Sequence, residues 1–263
     1  MGRYQPMQLL FIFLGGLVLL FIIAPLAGMF LATSPAEFFD TASDTEVARS
    51  IWLTLWTSML ATLIFAIAAI PFSWFLARRN FPLKRIVTGI IDVPVVIPHS
   101  AAGIAILGFV ARDSVVGRIG DSIGLSFIGT PPGIILAMAF VSIPFLINAA
   151  RDGFAVVPEK LEKAALNLGA SPARVFLTIS LPLAWRSILS GLIMMWARGM
   201  SEFGAVVIVA YHPMIAPVMI WDRFAAFGLS HARPVAVVFI CVCLFFFVIL
   251  RMLSNRYEDV ENS

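Results

Sequence analysis

From Ile51 to Ala77 the chain runs for 27 residues without one charged side chain. A helix of about 20 apolar residues crosses the roughly 30 Å of a hydrocarbon core, so this run predicts a membrane span, bent at Pro71. Comparable runs recur. Met7 to Ala32 follows the lone Arg3 and exceeds the ~7–15 residues of a signal-peptide core, which marks it as a retained first helix. Ile86 to Ala111 carries Asp92 near its start and two prolines, Pro94 and Pro98, so its regular helix is expected only after them. Gly133 to Ala150 forms a fourth run, and Ile188 to Tyr211 a fifth that Arg198 and Glu202 interrupt. The sixth, Val235 to Leu250, lies between Arg233 and Arg251, whose apolar stems can lengthen it. With 60% hydrophobic and 13% charged residues among 263, the chain holds more apolar surface than a soluble core of that size can enclose. The fold class expected is an all-α membrane protein of six transmembrane helices.

Charge sets the orientation, because short cytoplasmic loops collect Lys and Arg. The N-terminus, the second-to-third loop, the fourth-to-fifth segment and the C-terminus hold twelve of them, among them Arg3, Arg78, Arg79, Arg251 and Arg256. The opposite loops hold five. This bias predicts both termini and the long fourth-to-fifth segment in the cytoplasm. It also accounts for the net charge of +3 without nucleic acid. No fixed-period repeat or low-complexity tract is present. The expected division is an N-terminal helix with its external loop (1–46), a membrane domain (47–253) and a cytoplasmic tail (254–263). Cys241 and Cys243 would project about 200° apart on a helix, which excludes a disulfide between them. The apolar stretch from His212 to Pro234 is too hydrophobic for a solvated loop and predicts a short interfacial helix on the external side.

The segment from Arg151 to Arg186 is far longer than two neighbouring spans need for a connection. Pro158 can open a helix in which Leu161, Ala164, Ala165 and Leu168 recur at i, i+3, i+4 and i+7, giving one shallow apolar face. Gly169 stands where a left-handed residue would close that helix, and Ser171-Pro172 supplies a cap and first-turn proline for the next. Two alanines between two leucines suit a groove on another protein better than a core of their own.

Lys163-Ala164-Ala165, then Gly169, then Ile179-Ser180-Leu181-Pro182 resembles the EAA---G---------I-LP loop of binding-protein-dependent ABC importer permeases, with the spacing fully kept. Lys163 stands where that family usually has Glu, and Glu162 immediately precedes it. The resemblance implies a type I ABC importer transmembrane domain in a prokaryotic cell membrane. It further implies that Leu161, Glu162, Lys163, Ala164, Ala165, Leu168 and Gly169 form a coupling helix docked on a separate ATPase. The implied assembly is two copies of this chain, two ATP-binding cassette subunits that hold ATP and Mg, and one external oxyanion-binding protein. Asp92 to His99, Trp196 to Gly204 and Tyr211 to Pro217 look like the molybdate/tungstate branch, while sulfate and thiosulfate permeases share the Ser201-Glu202-Phe203-Gly204 neighbourhood.

Residue chemistry adds candidates and exclusions. Arg198 and Glu202 stand four apart, the spacing of an intrahelical ion pair, deep in the fifth run where an unpaired charge is expensive. They read either as a structural pair or, with Ser201, as part of an anion pathway. His99 is expected to bond a carbonyl freed by Pro98, and Asp92 to mark the cytoplasmic end of its helix. The three lysines, Lys84, Lys160 and Lys163, do not follow a glycine, so no phosphate-binding Gly-x-x-x-x-Gly-Lys loop exists and the chain itself carries no cofactor. A secondary transporter would place coupling sites in matching halves, a pattern missing here. No catalytic triad or paired carboxylates indicate an enzyme.

Overall fold

The computed structural model describes residues 5–261, with side chains from Met7 to Leu250. Helices α1 (Gln5–Leu31) and α2 (Pro35–Ser43) precede the long α3 (Thr45–Arg78). Then follow α4 (Lys84–Val96), α5 (His99–Val110), α6 (Val115–Ser122) and α7 (Pro131–Val156). After α8 (Glu159–Asn167), α9 (Pro172–Val175) passes through a π turn, Phe176–Ser180, into α10 (Leu181–Met200). The chain ends with α11 (Val206–Val209), α12 (Ala216–Phe227) and α13 (Leu229–Glu261). No strand occurs among the described residues.

Five helices are long and apolar enough to cross a membrane, and α4 with α5, bent by 110°, makes up to six. The bend has a local cause. Pro98 drives the preceding residue out of helical space, and Ile97 is extended at φ −72°, ψ 148°. Helical structure nevertheless begins before the prolines, at Lys84, and takes Pro94 inside α4, contrary to the expectation that it starts after them. The third apolar run is a broken pair.

The core forms where α7 lies between α3 and α10. One face of α3 buries Thr54, Ser58, Thr62 and Ser73, each donating to the carbonyl four residues earlier at 2.7–2.9 Å. With their hydroxyls satisfied inside the helix, these small side chains pack closely without leaving a polar atom unpaired in an apolar medium. On α7 a Cβ at Gly153 would stand 2.4 Å from Ser187 Cβ on α10, so only glycine allows that approach. By contrast, Met7 to Leu26 of α1 are all exposed, and the end of α1 packs against α13.

Three other boundaries differ from the sequence reading. α7 continues past Ala150 to Val156, and the α9–α10 rod starts at Pro172, so the connection shrinks from 151–186 to 157–171. Ala150, Phe154, Val157, Ala184 and Ile188 form a buried cluster that holds these extensions together. Its apolar side is invisible to a hydropathy count because Arg151, Asp152 and Arg186 interrupt the runs. The fifth run is not one helix either, since α10 ends at Met200. Residues 254–261, where the tail is expected, are helical and continue α13. Of the residues that set the orientation, Arg3 lies outside the described residues, as do the side chains of Arg251 and Arg256.

Candidate functional site

The hairpin between α7 and the α9–α10 rod folds as its sequence dictates. α8 follows Pro158 and ends in a paired turn, with Gly169 N–H donating to Leu166 O and Ala170 N–H to Ala165 O, both at 3.0 Å. Gly169 has φ 89°, a conformation that costs a side-chain-bearing residue about 1–2 kcal/mol. Ser171 Oγ then accepts the Arg174 N–H at 3.3 Å and starts α9. Pro182 cannot donate to the carbonyl four residues back, and the helix widens there into the π turn.

Among the described residues, the apolar face of α8 is largely uncovered. Leu161 and Ala164 are exposed, Ala165 is half-buried, and Leu168 is 89% exposed. Lys163 also faces outward and pairs with Glu159 at 2.8 Å. Gly169 lies at the exposed tip. Glu162 departs from this pattern and points inward, where it is the only buried residue of α8.

Glu162 occupies a polar hub. Arg78, in the last turn of α3, donates from Nε to Oε1 and Oε2 at 3.0 and 2.9 Å and from Nη2 to Oε1 at 2.8 Å. Ser180 Oγ donates to Oε1 at 2.6 Å, and Trp74 Nε1 at 3.3 Å. Arg78 Nη2 also donates to Val157 O, just past the end of α7, at 3.0 Å. Burial pushes the Glu162 carboxyl up, but the Arg78, Ser180 and Trp74 hydrogen bonds outweigh it and hold its pKa below the ordinary glutamate value. Sequence reading missed this hub, because 84 residues separate its partners and both charges sit in stretches that look solvated.

A second cluster lies at the far end of α10. Glu202, fully buried just past the helix, has Oε1 accepting from Ala205 N–H at 2.8 Å. Its Oε2 lies 3.0 Å from Arg198 Nη2 and 3.2 Å from His99 Nδ1, with hydrogen-bond geometry to neither. Arg198 Nη2 is 2.9 Å from His99 Nε2, and Nη1 is 3.3 Å from Ser201 Oγ. The pair anticipated at four-residue spacing therefore forms, although Glu202 follows the helix rather than sitting deep within it. His99 meets this pair instead of a freed carbonyl. Asp92 is likewise bonded across the bundle, accepting from Asn148 Nδ2 of α7 at 2.7 Å.

Near the α12 end, Asp44 caps α3 and accepts from Arg223 at 2.7 Å, while Tyr211 donates to Asp222. α12 occupies the stretch for which a short helix was expected.

Several apolar spans, one of them broken, joined to a hairpin that projects an uncovered apolar face, describe the membrane subunit of a multi-component transporter. A family model described as "Binding-protein-dependent transport system inner membrane component" matches residues 69–259, and the chain belongs to that family. It is a permease component of a transport system. A relative from Thermococcus kodakarensis, named molybdate/tungstate transport system permease protein WtpB, is 44% identical, covering 94% of this chain and 96% of its own. A probable sulfate transport system permease protein cysT from Chlorokybus atmophyticus is 32% identical over 80% of this chain and 74% of its own. The fold matches a crystal structure of a bacterial alginate ABC transporter in complex with its alginate-bound periplasmic protein. That match has a TM-score of 0.74 at 18% identity, covering 97% of this chain and 96% of that one.

Proposed function

We propose that this chain forms the membrane pathway of an ATP-driven importer for molybdate or tungstate, delivered by an external binding protein. The observation that carries the transport mechanism is α8, a nine-residue helix whose exposed face is apolar and whose only buried side chain is a glutamate. Such a face has no core to enter within its own chain. On this reading Leu161, Lys163, Ala164, Ala165, Leu168 and Gly169 dock on a cytoplasmic ATPase that binds ATP and Mg, with Glu162 behind them. Two copies of the chain and two ATPase subunits complete the machine. α4 and α5 together count as one span, giving six, with both termini in the cytoplasm. The charge distribution supports that orientation.

Arg198 and Ser201 border the pathway, with Glu202 behind Arg198 to balance its charge. The oxyanion assignment rests on the 44% identity to a molybdate/tungstate permease across nearly the whole chain, against 32% for a sulfate permease. The test is uptake by liposomes that contain this chain, its ATPase and its binding protein. Molybdate or tungstate should accumulate with ATP, and excess sulfate should not compete. Sulfate uptake without molybdate uptake would reassign the substrate. ATP-independent uptake would remove the importer class.

A further inference from the structure

The docking face of α8 explains where an ATPase would push, but not how the push reaches the spans. α8 packs on α9 and the π turn, and its one buried side chain is Glu162. What ties it to the bundle is the Glu162 hub. Arg78 belongs to α3, Val157 follows α7, and Ser180 is the last residue of the π turn that leads into α10. One carboxylate thus touches, directly or through one guanidinium, the three helices that pack as the core. Side-chain exposures of 8% for Arg78 and 9% for Glu162 leave little solvent to loosen the contact.

From this geometry we infer that Glu162 and Arg78 are the positioning residues that convert displacement of α8 into movement of α3, α7 and α10. An apolar contact is non-directional and can slide. A guanidinium holding both carboxylate oxygens fixes distance and angle together, so a rigid shift of α8 is passed on and not absorbed. The widened backbone at Phe176–Ser180 beside the hub is the compliant point at which the α9–α10 rod can follow. The depressed pKa of Glu162 keeps the strut charged at neutral pH.

This inference rests on α8 being the ATPase contact, so the experiment separates the two. The complete complex is reconstituted in liposomes, and ATPase retention and molybdate moved per ATP hydrolysed are measured for three variants. Ala165→Glu tests docking and should lose the ATPase. Glu162→Gln should keep the ATPase, while molybdate per ATP falls about tenfold, the shift expected from losing one charge-assisted buried bond. Because Glu162→Gln strands the Arg78 charge, the third variant, Arg78→Gln with Glu162→Gln, removes both charges. It should keep the ATPase, regain thermal stability and remain uncoupled. A purely structural hub would instead regain the normal ratio in the double variant, and that result overturns the inference. So would failure of the double variant to assemble, which would make the pair a folding element only. If Ala165→Glu keeps both ATPase and uptake, the docking site itself falls.

Discussion

Replacing Gly169 isolates the geometry of the hairpin from its chemistry. At φ 89° the residue lies in the left-handed region, and a Cβ added there meets nothing within 4 Å. The cost of a side chain is therefore conformational and local. For alanine it is about 1–2 kcal/mol, with valine at or above the upper end because its branched Cβ crowds the adjacent backbone further. Asparagine tolerates this region and should cost least. If the ATPase must meet α8 and α9 across an intact turn, the penalty appears in its affinity as about 5–30-fold weaker binding for alanine and about 30-fold or more for valine. The order of affinities should be Gly, Asn, Ala, Val. The assay is titration of immobilised ATPase with the solubilised chain, with size-exclusion behaviour as the folding control. No change in that control is expected, since the turn is exposed and outside the core. Valine binding within about twofold of the unaltered chain, or asparagine weaker than valine, would refute the argument.

Thr54→Val leaves the buried Ala216 N–H without the acceptor it has at 2.8 Å and should destabilise the chain by about 1–3 kcal/mol, whereas Thr54→Ser should lower the melting temperature much less. Arg198→Gln strands the Glu202 carboxylate and should cost about 3–5 kcal/mol, largely restored when Glu202→Gln is added. Normal uptake by that stable double variant would remove the pair from the pathway. The Asp44 pKa lies below its ordinary value of 3.8, first because Arg223 donates to it. Its stabilisation should be present above that value and be lost as the pH falls through the lower folded-state value. Asp44→Asn should melt below the unaltered chain at pH 7, by an amount worth at most ~1 kcal/mol, with the gap closing in acid. A gap independent of pH would contradict this. A reporter fused after Ser263 should be cytoplasmic and one inserted near Asp44 external; both on one side would end the six-span arrangement.

The hairpin was legible in the sequence because each of its signals acts within a few residues. Gly169, Ser171 and the period of Leu161, Ala164, Ala165 and Leu168 set φ, cap geometry and face without help from the rest of the chain. Glu162 lies one position from Lys163 and was grouped with the docking residues, yet it faces the opposite way. Periodicity marks a charged residue as solvated, and only a partner brought from Arg78 can reverse that reading. His99 was assigned to a local carbonyl for the same reason, since its actual neighbours, Arg198 and Glu202, are about a hundred residues away in sequence.

The number and approximate position of the apolar runs, the all-helical class and the turn at Gly169 follow from the sequence alone, because hydropathy, proline and glycine act through local solvation and backbone sterics. Tertiary structure decided where the helices end. α7 and α10 outrun their apolar stretches because Gly153 lets them meet. It also decided which charges are partners. Burial removes the water that would otherwise screen Arg78 from Glu162 and Arg198 from Glu202, and long-range packing alone determines which groups share that dry space.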